Sequence, residues 1–350
     1  ASVIALMAGA AMLAGGADID AAAHASADPP LHLHETGLFA PGLPAGTGPG
    51  VMSFTPQYAL WSDGAAKRRW LYLLPGTQID AANPDAWEFP RGTRLWKEFA
   101  HDRAVETRYI ERRADGTWQY ATYLWNADGS DAVLAPVRGV RAMPVNGAPD
   151  GRYDIPAQAD CAVCHEGAAV PVLGFGALQL SPDRDPGTAP AILPGADDLD
   201  LQSLVTRGLI RNLPPALLVR PPRIAADTPT ERAALGYLHG NCGHCHNDNG
   251  SPAPVGLILA QSVADAAASR EQIRRSAIDA PSRFRPRDAA APHPIIKPAR
   301  PDESVLGIRM RSRNPAVQMP PLGTHAVDPT GTALIERWIS QLKPHKEPKS

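Results

Sequence analysis

The chain of 350 residues carries a formal net charge of -2, and 44% of its residues are hydrophobic. This near-neutral charge argues against a bulk electrostatic attraction to nucleic acid or to an anionic membrane. The length allows two domains with a sizeable core, while 37 prolines and 30 glycines favour loops and short elements over long helices.

An apolar, alanine-rich run, Ser2–Gly15, opens the chain and is too short to span a bilayer. Ala23-His24-Ala25 follows and fits the small-x-small rule for cleavage before Ser26. We therefore predict that residues 1–25 are a partial secretory signal peptide and that the mature protein is periplasmic. A short amphipathic or buried helix is the alternative.

Residues 26–150 are predicted to form a β-rich domain, which begins with a surface arm or linker over residues 26–50. From Tyr58 to about Val140, short aromatic and β-branched runs are separated by Pro-Gly and Asp-Gly turn pairs. This pattern predicts an antiparallel β-sandwich or barrel with an aromatic core. The predicted strands are Arg69–Leu74, Leu95–Phe99, Glu106–Arg112 and Trp118–Trp125.

Polar groups in this region suggest ligands only weakly. Asn126–Asp131 resembles part of a calcium loop, but Val137 stands where the loop needs a glutamate, so a hairpin turn is the better interpretation. Trp61–Gly64 and Lys67–Arg69 could line a ligand groove, although a turn and a solvated strand edge explain them more simply. No catalytic triad or phosphate loop is recognisable.

The four cysteines of the chain form two C-x-x-C-H motifs, Cys161–His165 and Cys242–His246. This pattern is typical of covalent haem c attachment, in which the cysteines bond to the porphyrin and the histidine is the proximal iron ligand. We therefore predict two covalently attached haem c groups. The attaching residues are Cys161, Cys164, Cys242 and Cys245, and the proximal ligands are His165 and His246.

Two other interpretations of the cysteine pairs remain. A zinc ribbon also uses two C-x-x-C pairs, but these lie about 15–20 residues apart, whereas Cys164 and Cys242 are much farther apart. A thioredoxin-like redox pair needs one motif in a strand–helix context, and it does not explain a following histidine twice.

Residues 151–226 carry the first motif and are short for a complete cytochrome fold, so this haem is expected to pack against neighbouring domains. A helix is predicted from Leu201 to Ile210. The sixth ligand of the first iron is left open by the sequence. The candidates are Met143, His239, His244, His293 or none.

Residues 227–350 predict a second, mostly helical haem domain. Thr228, Pro229 and Glu231 form the start of a helix that leads to Cys242. A terminal helix has Asp328 as its N-cap. Its predicted buried face consists of Leu334, Ile335, Trp338, Ile339 and Leu342.

This second domain resembles class-I cytochromes c, whose first and last helices cross beside the haem. The resemblance implies that Met319, in a Met-Pro-Pro loop between the helices, is the sixth ligand of the second haem. Simple packing is the alternative for Met319, as we expect for Met310. Basic residues outnumber acids between Arg270 and Arg313, so one or two of these arginines are expected to hold haem propionates. Docking of an acidic partner there is a further possibility.

The chain after the signal resembles a family of bacterial dihaem c-type cytochromes of largely unassigned function. The residues that carry this resemblance are Tyr58–Trp70, Phe89–Thr93, Lys97–Phe99, Glu106–Arg108, Ile155-Pro156, Tyr237-Leu238, Met319–Gly323, Trp338-Ile339 and the haem motifs. The fold expected is α+β multidomain: an N-terminal antiparallel β domain followed by mostly helical cytochrome c-type domains.

Two haems without a catalytic constellation lead us to expect periplasmic electron transfer rather than enzymatic activity. The expected partner is a redox protein, such as a dehydrogenase, a reductase or another cytochrome. Neither nucleic acid nor a membrane is indicated. The alternative function is a dihaem enzyme, peroxidase-like or reducing a small ligand, with an open coordination site at the first haem. A module that wires haems into a larger complex is a third hypothesis.

Overall fold

The computed structural model describes residues 28–40, 46–249, 255–286 and 292–344. The predicted signal segment, residues 1–25, therefore lies outside the described residues. Within these ranges no helix is both long enough and apolar enough to cross a lipid bilayer.

The described residues contain one large antiparallel sheet and two small two-stranded sheets. The large sheet has the strand order β1-β2-β4-β5-β6-β7, whereas β3 pairs in parallel with β10 and β8 pairs with β9. The strands are β1 (Met52–Ser53), β2 (Ala66–Tyr72), β3 (Ile79–Asp80), β4 (Arg94–Ala100), β5 (Ala104–Arg112), β6 (Trp118–Trp125), β7 (Ala132–Leu134), β8 (Val140–Pro144), β9 (Arg152–Ile155) and β10 (Ile210–Arg211).

The predicted antiparallel β structure is confirmed, but its strands form one open sheet rather than two facing sheets. Among the described residues no pairing joins β1 to β7, so the sheet does not close into a barrel. One face packs against residues that follow the first cysteine motif, including Val172, Phe175 and Leu180. These residues cover the face that a second sheet covers in a sandwich.

The other face of the sheet is covered by the N-terminal arm. Leu33 and Leu38 are fully buried against Trp96 and Tyr123, so the expectation of a surface arm is wrong for these residues. His32 and His34 each place Nδ1 2.9 Å from Oδ2 of Asp131. These polar contacts attach the arm to the Asn126–Asp131 turn, which joins β6 to β7 as predicted.

The helices are mostly short and follow the sheet in the chain. They are α1 (Gln158–His165), α2 (Leu201–Thr206), α3 (Ala216–Val219), α4 (Pro229–Asn241), α5 (Ala266–Ala277), α6 (Val305–Arg311) and α7 (Pro329–Gln341). The helix predicted from Leu201 to Ile210 ends early because Gly208 adopts a left-handed conformation (φ 66°).

The two longest helices of the C-terminal region, α4 and α7, pack against each other as expected. The Tyr237 hydroxyl donates to Oδ2 of Asp328 over 3.0 Å, and Asp328 caps α7 through the N–H of Gly331. Gly331 touches the Tyr237 ring so closely that a Cβ there would lie 2.2 Å from it. Of the predicted buried face of α7, Leu334, Ile335, Trp338 and Ile339 are buried and Leu342 is partly buried.

The start of α4 differs slightly from the predicted capping box. Thr228 Oγ1 accepts from the N–H of Glu231 over 3.1 Å, as predicted. The Glu231 carboxylate instead accepts from the N–H of Asp227 and forms an ion pair with Arg270 at 2.8 Å. Arg270 therefore stabilises the N-terminal end of α4 through its ion pair with Glu231.

Candidate functional site

The first cysteine motif lies on α1, which packs on the sheet. The Asp160 carboxylate accepts from the N–H of Ala157 and closes the N-terminus of α1. Gln158 donates to the carbonyl of Tyr120 on β6 over 3.1 Å. Cys161 and Cys164 are half-buried free thiols on this helix, so α1 fixes both sulfur atoms to the sheet scaffold.

His165, at the end of α1, has a defined tautomer. Its Nδ1 lies 2.5 Å from the carbonyl oxygen of Pro171. Because a carbonyl only accepts, Nδ1 carries the proton and Nε2 keeps a free lone pair. Burial lowers the pKa of His165 to about 4, so the ring is neutral. A neutral imidazole whose other nitrogen is held by a carbonyl is typical of metal-ligating histidines.

The second motif forms a tight turn directly after α4. The N–H groups of Cys242 and Gly243 both donate to the carbonyl of Leu238, and the N–H of His246 donates to the carbonyl of Cys242 over 2.8 Å. Nδ1 of His246 is buried and has no hydrogen-bond partner within the described ranges. Burial, followed by the nearby charge of Arg309, lowers the pKa of His246.

The two motifs meet in space. The ligand atoms of Cys164, His244 and Cys245 all lie within 4.8 Å of one another. The Cys164 thiol forms a hydrogen bond with Cys245, and this bond and burial raise the pKa of Cys164 to about 12. Asn247, which is buried, donates to the carbonyls of Gly167 (3.0 Å) and Gly243 (2.9 Å). Asn247 therefore ties the segment after the first motif to the second motif.

A cavity of about 830 Å³ opens beside this meeting point. Its volume falls in the range of small-molecule and cofactor sites. Both motifs and one face of the sheet contribute to its wall. The contributing residues include Cys161, Cys164, His165, Gly243, His244, Cys245, Leu95, Ile110, Phe175 and Leu178.

Three basic residues on adjacent strands also line the cavity: Arg69, Lys97 and Arg108. The sequence favours a solvated strand edge for Lys67–Arg69, but Arg69 is only 6% exposed, so that interpretation is wrong for Arg69. The strand alternation contained a signal for this position, because Arg69 shares its face with the buried Leu71.

The segment around Trp61 also has a definite role. Tyr58 packs on α4 so closely that a Cβ at Gly236 or Gly240 would lie 1.9 Å or 2.4 Å from it. The Asp63 carboxylate accepts from the backbone N–H groups of His325 and Ala326 (2.8–2.9 Å). This segment therefore connects the sheet with α4 and with the loop before α7.

Of the four residues predicted as candidates for the sixth ligand of a first haem, only His239 and His244 line the cavity. Met143 packs in a separate apolar cluster with Tyr153 and does not line it, and His293 does not line it either. Nδ1 of His239 accepts from the N–H of Gln261 over 3.1 Å, so its proton lies on Nε2. That proton blocks Nε2 of His239 as a metal ligand, and His244 is the better-placed histidine.

The backbone of Met319 is hydrogen-bonded to Arg309, whose charge acts on the second motif. Its N–H donates to the carbonyl of Arg309 over 3.1 Å, and the charge of Arg309 acts on His246. Met319 is half-buried, whereas Met310 is buried in the helical core. These positions agree with a packing role for Met310, and the ligand role of Met319 stays a prediction.

Several described basic residues of the stretch from Arg270 to Arg313 form ion pairs. Arg270 pairs with Asp227 and Glu231, and Arg311 pairs with Glu336. Arg313 lines the cavity and donates to Thr324 Oγ1 over 3.0 Å. The charge of Arg309 acts on His246 of the second motif.

Comparisons of the chain with models of known protein families, with curated proteins and with solved structures gave no match.

Proposed function

We propose that this protein transfers electrons in the periplasm through two covalently attached haem c groups. The first is attached at Cys161 and Cys164 and the second at Cys242 and Cys245. The observation that carries the proposal is the contact between the two C-x-x-C-H motifs, whose sulfur atoms of Cys164 and Cys245 lie within 4.8 Å. Attachment edges this close suit direct exchange of electrons between two haems. The resemblance to bacterial dihaem cytochromes supports the same function.

The residues present fit such a cofactor. Cysteine thiols beside histidines are the chemistry that haem c attachment requires, and the hydrogen bond to Pro171 leaves Nε2 of His165 free. The cavity beside the first motif has mostly apolar walls and two basic side chains, the buried Arg69 and the half-buried Lys97. When bound, haem c supplies reversible one-electron chemistry at iron.

The protein side of the function is to hold and tune these groups. Pro171 orients His165 through its carbonyl, and such outer contacts raise the basicity of a ligating imidazole. Met319 would supply a thioether to the second iron, which favours the reduced state and a higher potential. His244 would be the sixth ligand of the first iron, since it lines the cavity and lies beside Cys164. The electrons would come from, and pass to, a separate redox protein.

A second candidate function is supported by the cavity itself. Among the described residues that line it there is no methionine, so a haem iron bound there would find no thioether ligand in the cavity wall. If His244 does not ligate, this iron is open to a small ligand such as peroxide. The protein would then be a dihaem enzyme.

Purified protein from a bacterial host that attaches haem c tests the first proposal. Intact-mass measurement should show the chain plus two haems, and loss of both cysteines of one motif should remove one haem. Two matched double variants are needed for this test. In one, Cys161 and Cys164 are both changed to Ala, and in the other, Cys242 and Cys245 are both changed to Ala. A colourless protein that binds zinc through Cys164, His244 and Cys245 would contradict the proposal.

A further inference from the structure

Three basic side chains form a row across the cavity-facing side of the sheet. In the strand register, Arg69 on β2 lies directly opposite Lys97 on β4, and Lys97 lies directly opposite Arg108 on β5. Directly paired residues of adjacent strands point to the same face, and all three side chains line the cavity that also contains Cys164 and His165.

The charges of this row are only partly compensated by the chain. Arg108 forms an ion pair with Glu106 at 2.6 Å. Neither Arg69 nor Lys97 has an ion pair or side-chain hydrogen bond with any of the described residues. Phe99 offsets part of the charge, because the Lys97 ammonium lies 4.8 Å and the Arg108 guanidinium carbon 4.2 Å from its ring centre.

This arrangement is costly without an anion. Like charges directly opposite each other on neighbouring strands are destabilising, and a buried cation without a partner pays a desolvation cost. Burial lowers the pKa of Arg69 to about 10. Burial, with the charges of Arg69, Lys67 and Arg108, lowers the pKa of Lys97 well below its usual value. An anionic group in the cavity would relieve both costs.

We propose that the row Arg69–Lys97–Arg108 binds the propionate carboxylates of the haem attached at Cys161 and Cys164. This inference rests on the proposed function, because that haem supplies the anion. Guanidinium groups bind carboxylates through paired N–H donors, and an ammonium adds a compact charge. The sequence had suggested propionate ligands between Arg270 and Arg313, so the row assigns this role at the first haem to residues of the sheet.

Charge-removing substitutions in the haem-loaded protein test the row. Arg69→Met and Lys97→Met keep an aliphatic side chain and remove the charge. Arg68→Met is the matched control, because Arg68 neighbours Arg69 on β2, points to the opposite face, is 70% exposed and pairs with Glu98. Positive charge near a haem favours its reduced state, so we expect each row variant to lower the potential of one haem and leave the other unchanged. Arg68→Met should change neither potential, and the charge-preserving Lys97→Arg should stay near the wild type.

The outcomes separate the two proposals. If the mass shows two haems but the row variants have the same reduction potentials as Arg68→Met, the row assignment alone is overturned. If the protein contains no haem, both proposals are overturned. Titration of the wild-type protein with formate needs no variant. No spectral change is expected if propionates occupy the row, and a saturable change that Lys97→Met abolishes would show that the row binds free carboxylates instead.

Discussion

Cys164 and Cys245, which belong to different C-x-x-C-H motifs, have their sulfur atoms within 4.8 Å of each other. One lies on a helix packed on the sheet, and the other lies in the turn after α4. The contact therefore joins the β-rich and the helical parts of the chain at the two cysteine motifs.

Asn247 links the segment after the first motif to the second motif by hydrogen bonds. Asn247→Ala removes two hydrogen bonds to the carbonyls of Gly167 and Gly243. Because these carbonyls lose a buried donor, we expect a loss of about 1–3 kcal/mol in the free energy of unfolding, measured by urea denaturation. Asn83→Ala, at an exposed turn, is the control and should change stability by less than about 0.5 kcal/mol. Equal stability of both variants would mean that Asn247 does not hold the motifs together.

Met319 should control the second haem. We expect Met319→Leu to remove the weak sulfur-to-iron band at the red edge of the oxidised spectrum and to lower one reduction potential, because the thioether stabilises ferrous iron. Met310→Leu is the matched control, since Met310 is buried in the helical core, and it should retain the band. A Met319→Leu protein with an unchanged spectrum would assign the ligand elsewhere.

The tautomer of His239 predicts different effects for two histidines of the same cavity. We expect His244→Gln to convert one low-spin haem to high spin in the electron paramagnetic resonance spectrum. His239→Gln should leave that spectrum unchanged, because Nδ1 of His239 is already engaged by Gln261. A wild-type protein that already shows high-spin haem and binds cyanide would instead favour the enzyme with an open first iron.

The contact between Tyr58 and α4 predicts a strong effect of one methyl group. A Cβ at Gly240 would lie 2.4 Å from the carbonyl oxygen of Tyr58, and a backbone atom cannot easily move away. Gly240→Ala should therefore cost at least about 1–3 kcal/mol of stability, measured by thermal or urea unfolding. Gly46→Ala, where no atom lies within 4 Å of the added Cβ, should be nearly neutral. Similar stabilities of the two variants would refute this packing.

Asp131 predicts a pH dependence of stability. Burial raises the pKa of Asp131, but hydrogen bonds from His34, the Ala132 N–H and His32 outweigh it and hold the pKa below its usual value. A carboxyl with a depressed folded-state pKa stabilises the fold above its unfolded pKa of about 4, and this contribution is lost as the pH falls below that value. The difference in unfolding free energy between wild type and Asp131→Asn should therefore be larger at pH 6 than at pH 3. A difference that is independent of pH would contradict this role.

The sequence by itself determined the local features of this protein. The strands β2, β4, β5 and β6 follow from short runs of aromatic and β-branched residues between turn pairs. The starts of α4 and α7 follow from Thr228 and Asp328, because a cap depends on a few neighbouring residues. The two C-x-x-C-H motifs are likewise a matter of residue types at short spacing, and the prediction of haem c rests on them.

Only the tertiary structure decided which of these features meet. Three features depend on residues that are far apart in the chain: the contact of Cys164 with Cys245, the burial of Arg69 and the coverage of the sheet by Leu33. Local patterns do not encode such contacts, because strand order and the packing of covering segments depend on the whole core. The tautomer of His239 was undecidable for the same reason: its partner, the N–H of Gln261, belongs to a separate segment that the fold brings to the ring.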